Sequence, residues 1–167
     1  TVAMLERGNC APADALAALL GRAPRAAEAF IAPHEAAALR RQAALRWQLP
    51  VLRVSIALVW IVTGLVSLGL YPIEQSYALL ARTGLTGGPA TVALYGAALL
   101  DLAFGVLMLL PINRRPLYLA QIALILGYTA IITVALPEFW LHPYGPVLKN
   151  LPMLAALWLL LETDRRE

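Results

Sequence analysis

The residues with the most potential for chemistry are an acid and a base that interrupt otherwise apolar segments. Asp101 lies in LYGAALLDLAFGV, and Lys149, the only lysine of the chain, lies in HPYGPVLKN beside Asn150. An ionised carboxylate in the middle of a membrane helix costs at least ~2.5 kcal/mol on insertion scales, so it needs a partner. We expect Asp101 and Lys149 to form an ion pair, with Asn150 and Tyr95 as further polar groups in the same region.

Two interpretations of this polar pair are open. It is either a structural pair that fixes the register of two helices, or the polar end of an apolar pocket for a quinone or another lipid-like molecule. One carboxylate and one ammonium without a redox centre favour the structural interpretation. A cavity that reaches Lys149 would favour the pocket instead, and a fully packed interior would argue against it.

Other kinds of active site find little support in the sequence. Cys10 is the only cysteine, which excludes an internal disulfide and a CxxC redox pair. His34 and His142 form no helical histidine pair, and no catalytic triad or phosphate-binding loop is present. We therefore expect no metal, no cofactor other than a bound lipid or quinone, and no catalytic activity of the chain on its own. An oxidoreductase subunit with its own electron-transfer centre is disfavoured for the same reason.

The elements that position these residues follow from an apolar composition. Hydrophobic residues make up 60% of the 167 residues and charged residues 14%, whereas a soluble domain carries roughly a quarter charged residues. A soluble domain of this length would need a larger polar surface. We therefore predict an all-α integral membrane protein. Its basic residues form no stripe interleaved with aromatics, so nucleic acid is not an expected partner.

Four apolar segments approach the ~20 residues that cross a ~30 Å hydrocarbon layer. The predicted four-transmembrane-helix bundle has spans at residues 51–70, 90–110, 117–136 and 142–161. The fourth span contains Lys149 and Asn150 as well as two prolines. Pro146 is expected to start its helix, and Pro152 is expected to bend it or to leave a carbonyl free, because proline lacks the N–H that a helix interior uses.

Smaller features refine this bundle. A short helix is predicted at residues 73–82 in the connection after the first span, ended by Gly84. Gly64, Gly96 and Gly105 are expected to allow close approach of helices, and the intramembrane Gln121 is expected to be an interhelical contact.

Residues 1–48 are predicted to form a helical arm that does not span the membrane. Pro12 and Gly21 bracket one short helix, in the order that proline and glycine favour at helix starts and ends. A second helix at residues 34–48 carries an apolar stripe that ends at Trp47. We expect it to lie on the membrane surface; the alternative is a soluble helix packed on a missing domain. The residues expected to contact lipid headgroups are Arg40, Arg41, Arg46, Trp47 and Arg53, the last by extending toward the surface.

Basic residues alternate between the connections and so predict the orientation. Arginines precede the first span, lie between the second and third at Arg114 and Arg115, and follow the fourth at Arg165 and Arg166. The positive-inside rule then places both termini in the cytoplasm, with residues 163–167 as a cytoplasmic tail. The Arg-rich and Ala-rich composition suggests a bacterial source, and hence the bacterial inner membrane.

Four segments together resemble the DoxX-like membrane domain, over residues 49–162. They are LRVSIALVWIVTGLVSL, LLARTGLTG, YGAALLDLAFGVLML and HPYGPVLKNLPMLA. The resemblance implies a four-helix membrane bundle, commonly without an assigned activity. In many bacterial proteins such a domain follows an NAD-dependent epimerase or short-chain dehydrogenase-like domain, and the arm is similar to the connector in those fusions. This chain contains no GxGxxG unit, so nucleotide binding is not transferred to it.

The resemblance and the absence of a catalytic set lead to one main expectation. The chain is predicted to be a non-catalytic membrane anchor or scaffold, as an accessory subunit of a membrane complex or of a dehydrogenase-like partner. The alternative is a binder of a quinone or lipid-like molecule within the bundle. Membrane lipids are expected partners in both cases.

Overall fold

The computed structural model describes residues 12–25, 30–143 and 145–164, and within these ranges the chain is helical with connecting turns. The residues fall into two compact units, one up to Leu45 and one from Arg46 onward. Each is described by itself. Cys10 and the basic residues Arg165 and Arg166 of the predicted tail lie outside the described residues.

In the first unit, helix α1 spans Asp14–Leu20. Gly21 follows it with φ 64°, a left-handed conformation that glycine adopts without steric cost and that commonly ends a helix. The short helix predicted between Pro12 and Gly21 is therefore confirmed.

Helix α2 spans Pro33–Leu65, so the predicted helix at residues 34–48 and the first span share one continuous helix. Pro50 lies inside it. Proline removes one backbone hydrogen bond there, but the Ala- and Leu-rich residues on both sides favour helix strongly enough to continue it.

The end of the first span departs from a regular α-helix. A wider π-helical turn at Val66–Leu70 follows α2, and Gly69 within it has φ 148°. Residues with a side chain rarely adopt this backbone conformation, whereas glycine adopts it readily. The glycine therefore permits a kink in the last turn, and the helical stretch ends at Leu70, the predicted end of the span.

The remaining elements of the second unit follow in short succession. They are α3 Ile73–Arg82, α4 Gly87–Leu109, α5 Arg115–Ala135, a 3₁₀ turn Pro137–Trp140 and α6 Asn150–Thr163. The helix predicted at residues 73–82 is confirmed. Among the residues that the structure describes, three stretches of helix are long and apolar enough to cross a membrane: Pro33–Leu70, Gly87–Leu109 and Arg115–Ala135. The chain is thus a helical membrane protein.

The fourth long helix expected at residues 142–161 does not form. Helix α6 has 14 residues, a length of about 21 Å against the ~30 Å of a hydrocarbon layer. The described residues between Trp140 and Asn150 form turns, with Gly145 at φ 51°. Pro152 consequently lies in the first turn of α6, where its missing N–H removes no helical bond. The predicted bend is therefore not needed, and the Leu148 carbonyl is not free, because it accepts the backbone N–H of Leu151 at 3.2 Å.

Close contact between α2 and α4 builds one side of the core. A Cβ added at Gly64 would lie 2.7 Å from Cγ of Leu102, and one at Gly105 would lie 2.8 Å from the carbonyl oxygen of Ala57. Two of the three glycines predicted at helix contacts are therefore confirmed. Gly96 has no atom within 4 Å of such a Cβ, so its predicted role is wrong.

Candidate functional site

A groove of about 680 Å³ lies between α2 and residues 146–153. Its apolar walls include Val59 and Met153, and its polar lining consists of Ser55, Thr63, Lys149 and Asn150. The volume falls within the range of roughly 300–1,000 Å³ that small-molecule sites occupy. A cavity therefore reaches Lys149, the condition that favours a binding pocket over a purely structural role.

The groove exists because the chain between α5 and α6 is not helical. Gly145 turns the backbone into a left-handed conformation, and Lys149 closes a turn by donating its backbone N–H to the Gly145 carbonyl at 3.1 Å. Asn150 then begins α6 and donates from Nδ2 to Oγ1 of Thr129 at 2.9 Å. Thr129 precedes the end of α5 at Ala135 by six residues, or about 9 Å along the helix. The turn segment thus lies beside a membrane-spanning helix, where irregular backbone is tolerated only against protein or water.

Few hydrogen-bond donors in the groove are free. The Ser55 hydroxyl donates to the Val51 carbonyl at 2.8 Å, and the Thr63 hydroxyl donates to the Val59 carbonyl at 2.7 Å. Both hydroxyls retain lone pairs as acceptors. The Lys149 ammonium forms neither a hydrogen bond nor an ion pair with any residue that the structure describes. It is therefore the available charged donor of the groove.

The expected ion pair between Asp101 and Lys149 does not form in the structure. Asp101 is 5% exposed on the buried side of α4, whereas Lys149 lines the groove beside α2. Neither takes part in the three ion pairs that the described residues form. The late start of α6 explains this, because it places Lys149 in a turn rather than on a helix face directed at α4. Tyr95 is partly exposed on α4 and does not line the groove.

Asp101 is one of three core residues that have buried polar atoms without a partner among the described residues. Its Oδ1 atom, both amide atoms of Gln121 and Nε1 of Trp60 are buried without a hydrogen-bond partner among the described residues. The Trp60 ring packs edge-on against Phe104 at a centroid distance of 5.3 Å, and Phe104 follows Asp101 by one helical turn. Gln121, expected to contact a neighbouring helix through its amide, is buried without that hydrogen bond. None of these three residues lines the groove.

Another polar cluster, absent from the sequence-based expectations, connects three helices. The Arg53 guanidinium donates to both carboxylate oxygens of Asp164, at 3.1 and 3.3 Å, and to the Tyr118 hydroxyl at 3.3 Å. The Tyr118 hydroxyl in turn donates to Asp164 at 2.8 Å. The Arg53 and Asp164 side chains are 20% and 19% exposed. Arg53 therefore has protein partners in place of the headgroup contact expected for it.

This Arg53–Tyr118–Asp164 network had a detectable signal in the sequence. Arg53 lies inside the first apolar segment and Asp164 lies just after the last one, and opposite charges at the same predicted end of a bundle favour pairing. The other residues expected to contact headgroups are exposed on α2, with Trp47 at 80%. Their contact with lipid stays a prediction.

The opposite ends of the helices are joined by a more exposed ion pair. Arg82 at the end of α3 pairs with Glu138 in the 3₁₀ turn. The backbone N–H of Glu138 donates to its own carboxylate, and Arg82 adds a charged hydrogen bond, so the pKa of Glu138 lies below its usual range. This pair links the end of α3 to the 3₁₀ turn that precedes the groove-lining residues 146–153.

The described ranges contain no group of three or more His, Cys, Asp or Glu side chains that could hold a metal ion. Comparison with curated proteins and with solved structures gives no match. The sequence profile of the DoxX-like family matches residues 57–158, more than half of the chain, including all of α3, α4 and α5 and most of the groove. The chain therefore belongs to the DoxX-like family.

Proposed function

We propose that this DoxX-like membrane protein binds a lipid-like small molecule, of the quinone or lipid class, in the groove beside Lys149. The observation that carries the proposal is the coincidence of a groove of about 680 Å³ with the only lysine of the chain. Apolar walls suit a hydrocarbon or isoprenoid chain, and the polar lining suits a single polar end. Lys149 is exposed in the groove, so its ammonium is accessible to a ligand that enters there.

The groove is placed to receive its ligand from the bilayer. Val59 and Thr63 lie on an exposed face of α2, which in a membrane protein faces lipid or a partner. Asn150 is held against Thr129, so one side of the polar end is fixed by a hydrogen bond between helices. A prearranged polar end of this kind lowers the ordering cost of binding.

The same geometry supports a fourth crossing made of two parts. Helix α6 runs back along α5, from Asn150 beside Thr129 to Asp164 beside Tyr118. We propose that a turn segment at residues 145–149 and the short helix α6 complete the crossing. Both termini then lie on the cytoplasmic side of a bacterial inner membrane. In a Cys10→Ser background, a cysteine at Asn113 should resist an impermeant thiol reagent added outside, and one at Gly84 should react. The reverse pattern would overturn this orientation.

A second candidate function is a membrane anchor for a partner, such as a dehydrogenase-like domain or a larger complex. It is favoured by the first unit, where Leu19 and Phe30 are exposed large apolar side chains. Exposed apolar side chains of this kind can mark a protein-binding surface. Anchoring and ligand binding use different units of the chain and are compatible.

The ligand proposal is tested by purifying the protein in mild detergent and identifying co-purifying small molecules by mass spectrometry. A Val59→Trp variant fills the groove, and a Val92→Trp variant places the same ring on an exposed position of α4. The proposal predicts that one amphiphilic species is enriched in wild type and Val92→Trp but lost in Val59→Trp. Identical lipid profiles in all three proteins would contradict it.

A further inference from the structure

We infer that the molecule in the groove carries an oxyanion, a carboxylate or a phosphate, on an apolar chain, and that the Lys149 ammonium binds this anion. The inference rests on the proposed function and goes beyond it, because a quinone and an anionic lipid would both satisfy that proposal. The two differ in net charge at the polar end.

The first argument is the charge of the groove. Lys149 is the charged residue of the lining, and no acidic side chain lines it. Three acids lie elsewhere: Glu138 pairs with Arg82, Asp164 pairs with Arg53, and Asp101 is buried on α4 without an ion pair among the described residues. The positive charge of Lys149 therefore has no compensation from the lining itself.

The second argument is the hydrogen-bonding capacity of the groove. Ser55 and Thr63 use their hydroxyl protons within α2, and Asn150 uses one amide proton on Thr129. Lys149 then supplies most of the donors available to a ligand, since an ammonium has three N–H groups and no acceptor. An oxyanion, which has several lone pairs and no donor requirement, matches this arrangement.

The third argument is the effect of covering the groove. An apolar ligand chain on Val59 and Met153 would displace water from around Lys149, and an ammonium removed from water needs an opposite charge. A neutral carbonyl accepts a hydrogen bond but leaves the charge uncompensated. Charge compensation therefore favours an anionic amphiphile over a neutral one.

Because Lys149 is the only lysine, its reaction with an amine-specific reagent reports directly on the groove. The full chain in neutral detergent is labelled with and without oleate, oleyl alcohol, phosphatidylglycerol, a short-chain neutral quinone or inorganic phosphate, and the Lys149 peptide is quantified by mass spectrometry. Oleate and oleyl alcohol share one hydrocarbon chain and differ in charge. The chain's terminal amine provides an internal control for reagent activity.

We expect oleate, phosphatidylglycerol or both to slow labelling of Lys149 by about tenfold at ten times Kd, since only the free fraction then reacts. Protection by one and not the other identifies the oxyanion as carboxylate or phosphate. Oleyl alcohol and inorganic phosphate should give little protection. The Val59→Trp variant should lose the protection, and Val92→Trp should keep it.

Binding measured independently, by native mass spectrometry of oleate or phosphatidylglycerol adducts, should survive Lys149→Arg and weaken at least about tenfold in Lys149→Gln, which retains polarity but no charge. Protection by the neutral quinone or oleyl alcohol equal to that by the anions would overturn the inference and leave the proposed function standing. If no amphiphile protects Lys149, both the inference and the proposed function are contradicted. Protection by inorganic phosphate alone, or only by a co-purifying protein, would also overturn the inference that the ligand is an anionic amphiphile.

Discussion

At the scale of single residues, Gly105 and Gly64 set the distance between α2 and α4. A Cβ at Gly105 would lie against the Ala57 carbonyl and the backbone N–H of Ile61, both backbone atoms of the facing helix. Backbone atoms cannot move away as a flexible side chain can. The closest contact between these two helices therefore depends on the missing side chain.

We predict that Gly105→Ala lowers the free energy of unfolding by about 1–3 kcal/mol, because overpacking forces the two helices apart. Gly96→Ala is the matched control on the same helix, since its added methyl group would meet no atom within 4 Å. Thermal or denaturant unfolding in one detergent compares the two. Equal stability of both variants would contradict the close contact.

Residue types were more predictable from the sequence than residue partners. The polar character of Lys149 and Asn150 within an apolar segment was evident, and so was the burial of Asp101. The partner of each depended on where α6 starts, which is at Asn150, four residues after Pro146. The Asp101–Lys149 pair was a reasonable prediction from depth and charge alone, and it failed because Lys149 lies in a turn.

At the scale of elements, the Arg53–Tyr118–Asp164 network fixes the ends of α2, α5 and α6 to one another. Tyr118 is fully buried and accepts one hydrogen bond while donating another. Removal of its hydroxyl leaves both charged partners with one contact fewer, in a position mostly shielded from water.

We predict that Tyr118→Phe destabilises the protein by about 1–3 kcal/mol, the usual cost of losing hydrogen bonds to charged groups in a partly shielded site. Tyr95→Phe provides the control, because Tyr95 is partly exposed and its hydroxyl is not part of this network. Unfolding in detergent measures both changes. A Tyr118→Phe variant as stable as wild type would show that the network contributes little.

The Arg82–Glu138 pair predicts an acid-dependent contribution to stability. The folded pKa of Glu138 is lowered by its own backbone N–H and by Arg82, so its contribution is present above the usual glutamate pKa of about 4.3 and is lost as the pH falls through the lowered pKa. Both side chains are half exposed, which makes the effect small and sensitive to salt.

Melting temperatures measured from pH 7 to pH 3 should therefore decrease less in Glu138→Gln than in wild type at low ionic strength. Glu74→Gln controls for removal of an exposed carboxylate elsewhere in the same region. Parallel pH profiles of wild type and Glu138→Gln would contradict the role of the pair.

Regular elements followed from sequence where the local signals agreed. Helix α3 was predicted at its observed ends, and Gly21 and Gly105 were correctly placed at a helix end and a helix contact. The prediction failed where opposing preferences had to be weighed: α2 continues through Pro50, whereas the segment before Asn150 does not become helical after Pro146. The hydrogen bond from Asn150 to Thr129 and the turn at Gly145 accompany the second case, and neither is visible from periodicity.

At the scale of the whole molecule, composition alone identified a helical membrane protein, and the matching segments identified its family. A pocket with Lys149 at its polar end was one of two interpretations open from the sequence. Its walls on α2 could not be predicted, because the groove lies between two elements that are distant in sequence. Its polar end is made by residues nearly a hundred positions apart, Ser55 on α2 and Lys149 before α6.

The most direct test of the central claim is to identify the molecule that occupies the groove in native membranes. A photo-crosslinking phenylalanine derivative at Val59 lies in the groove, and the same derivative at Val92 samples an exposed surface of α4. After irradiation and mass spectrometry, we expect one amphiphilic adduct to be enriched at position 59 over its share among the bulk lipids found at position 92. The same distribution of lipids at both positions, or a protein adduct at position 59, would contradict a ligand-binding groove.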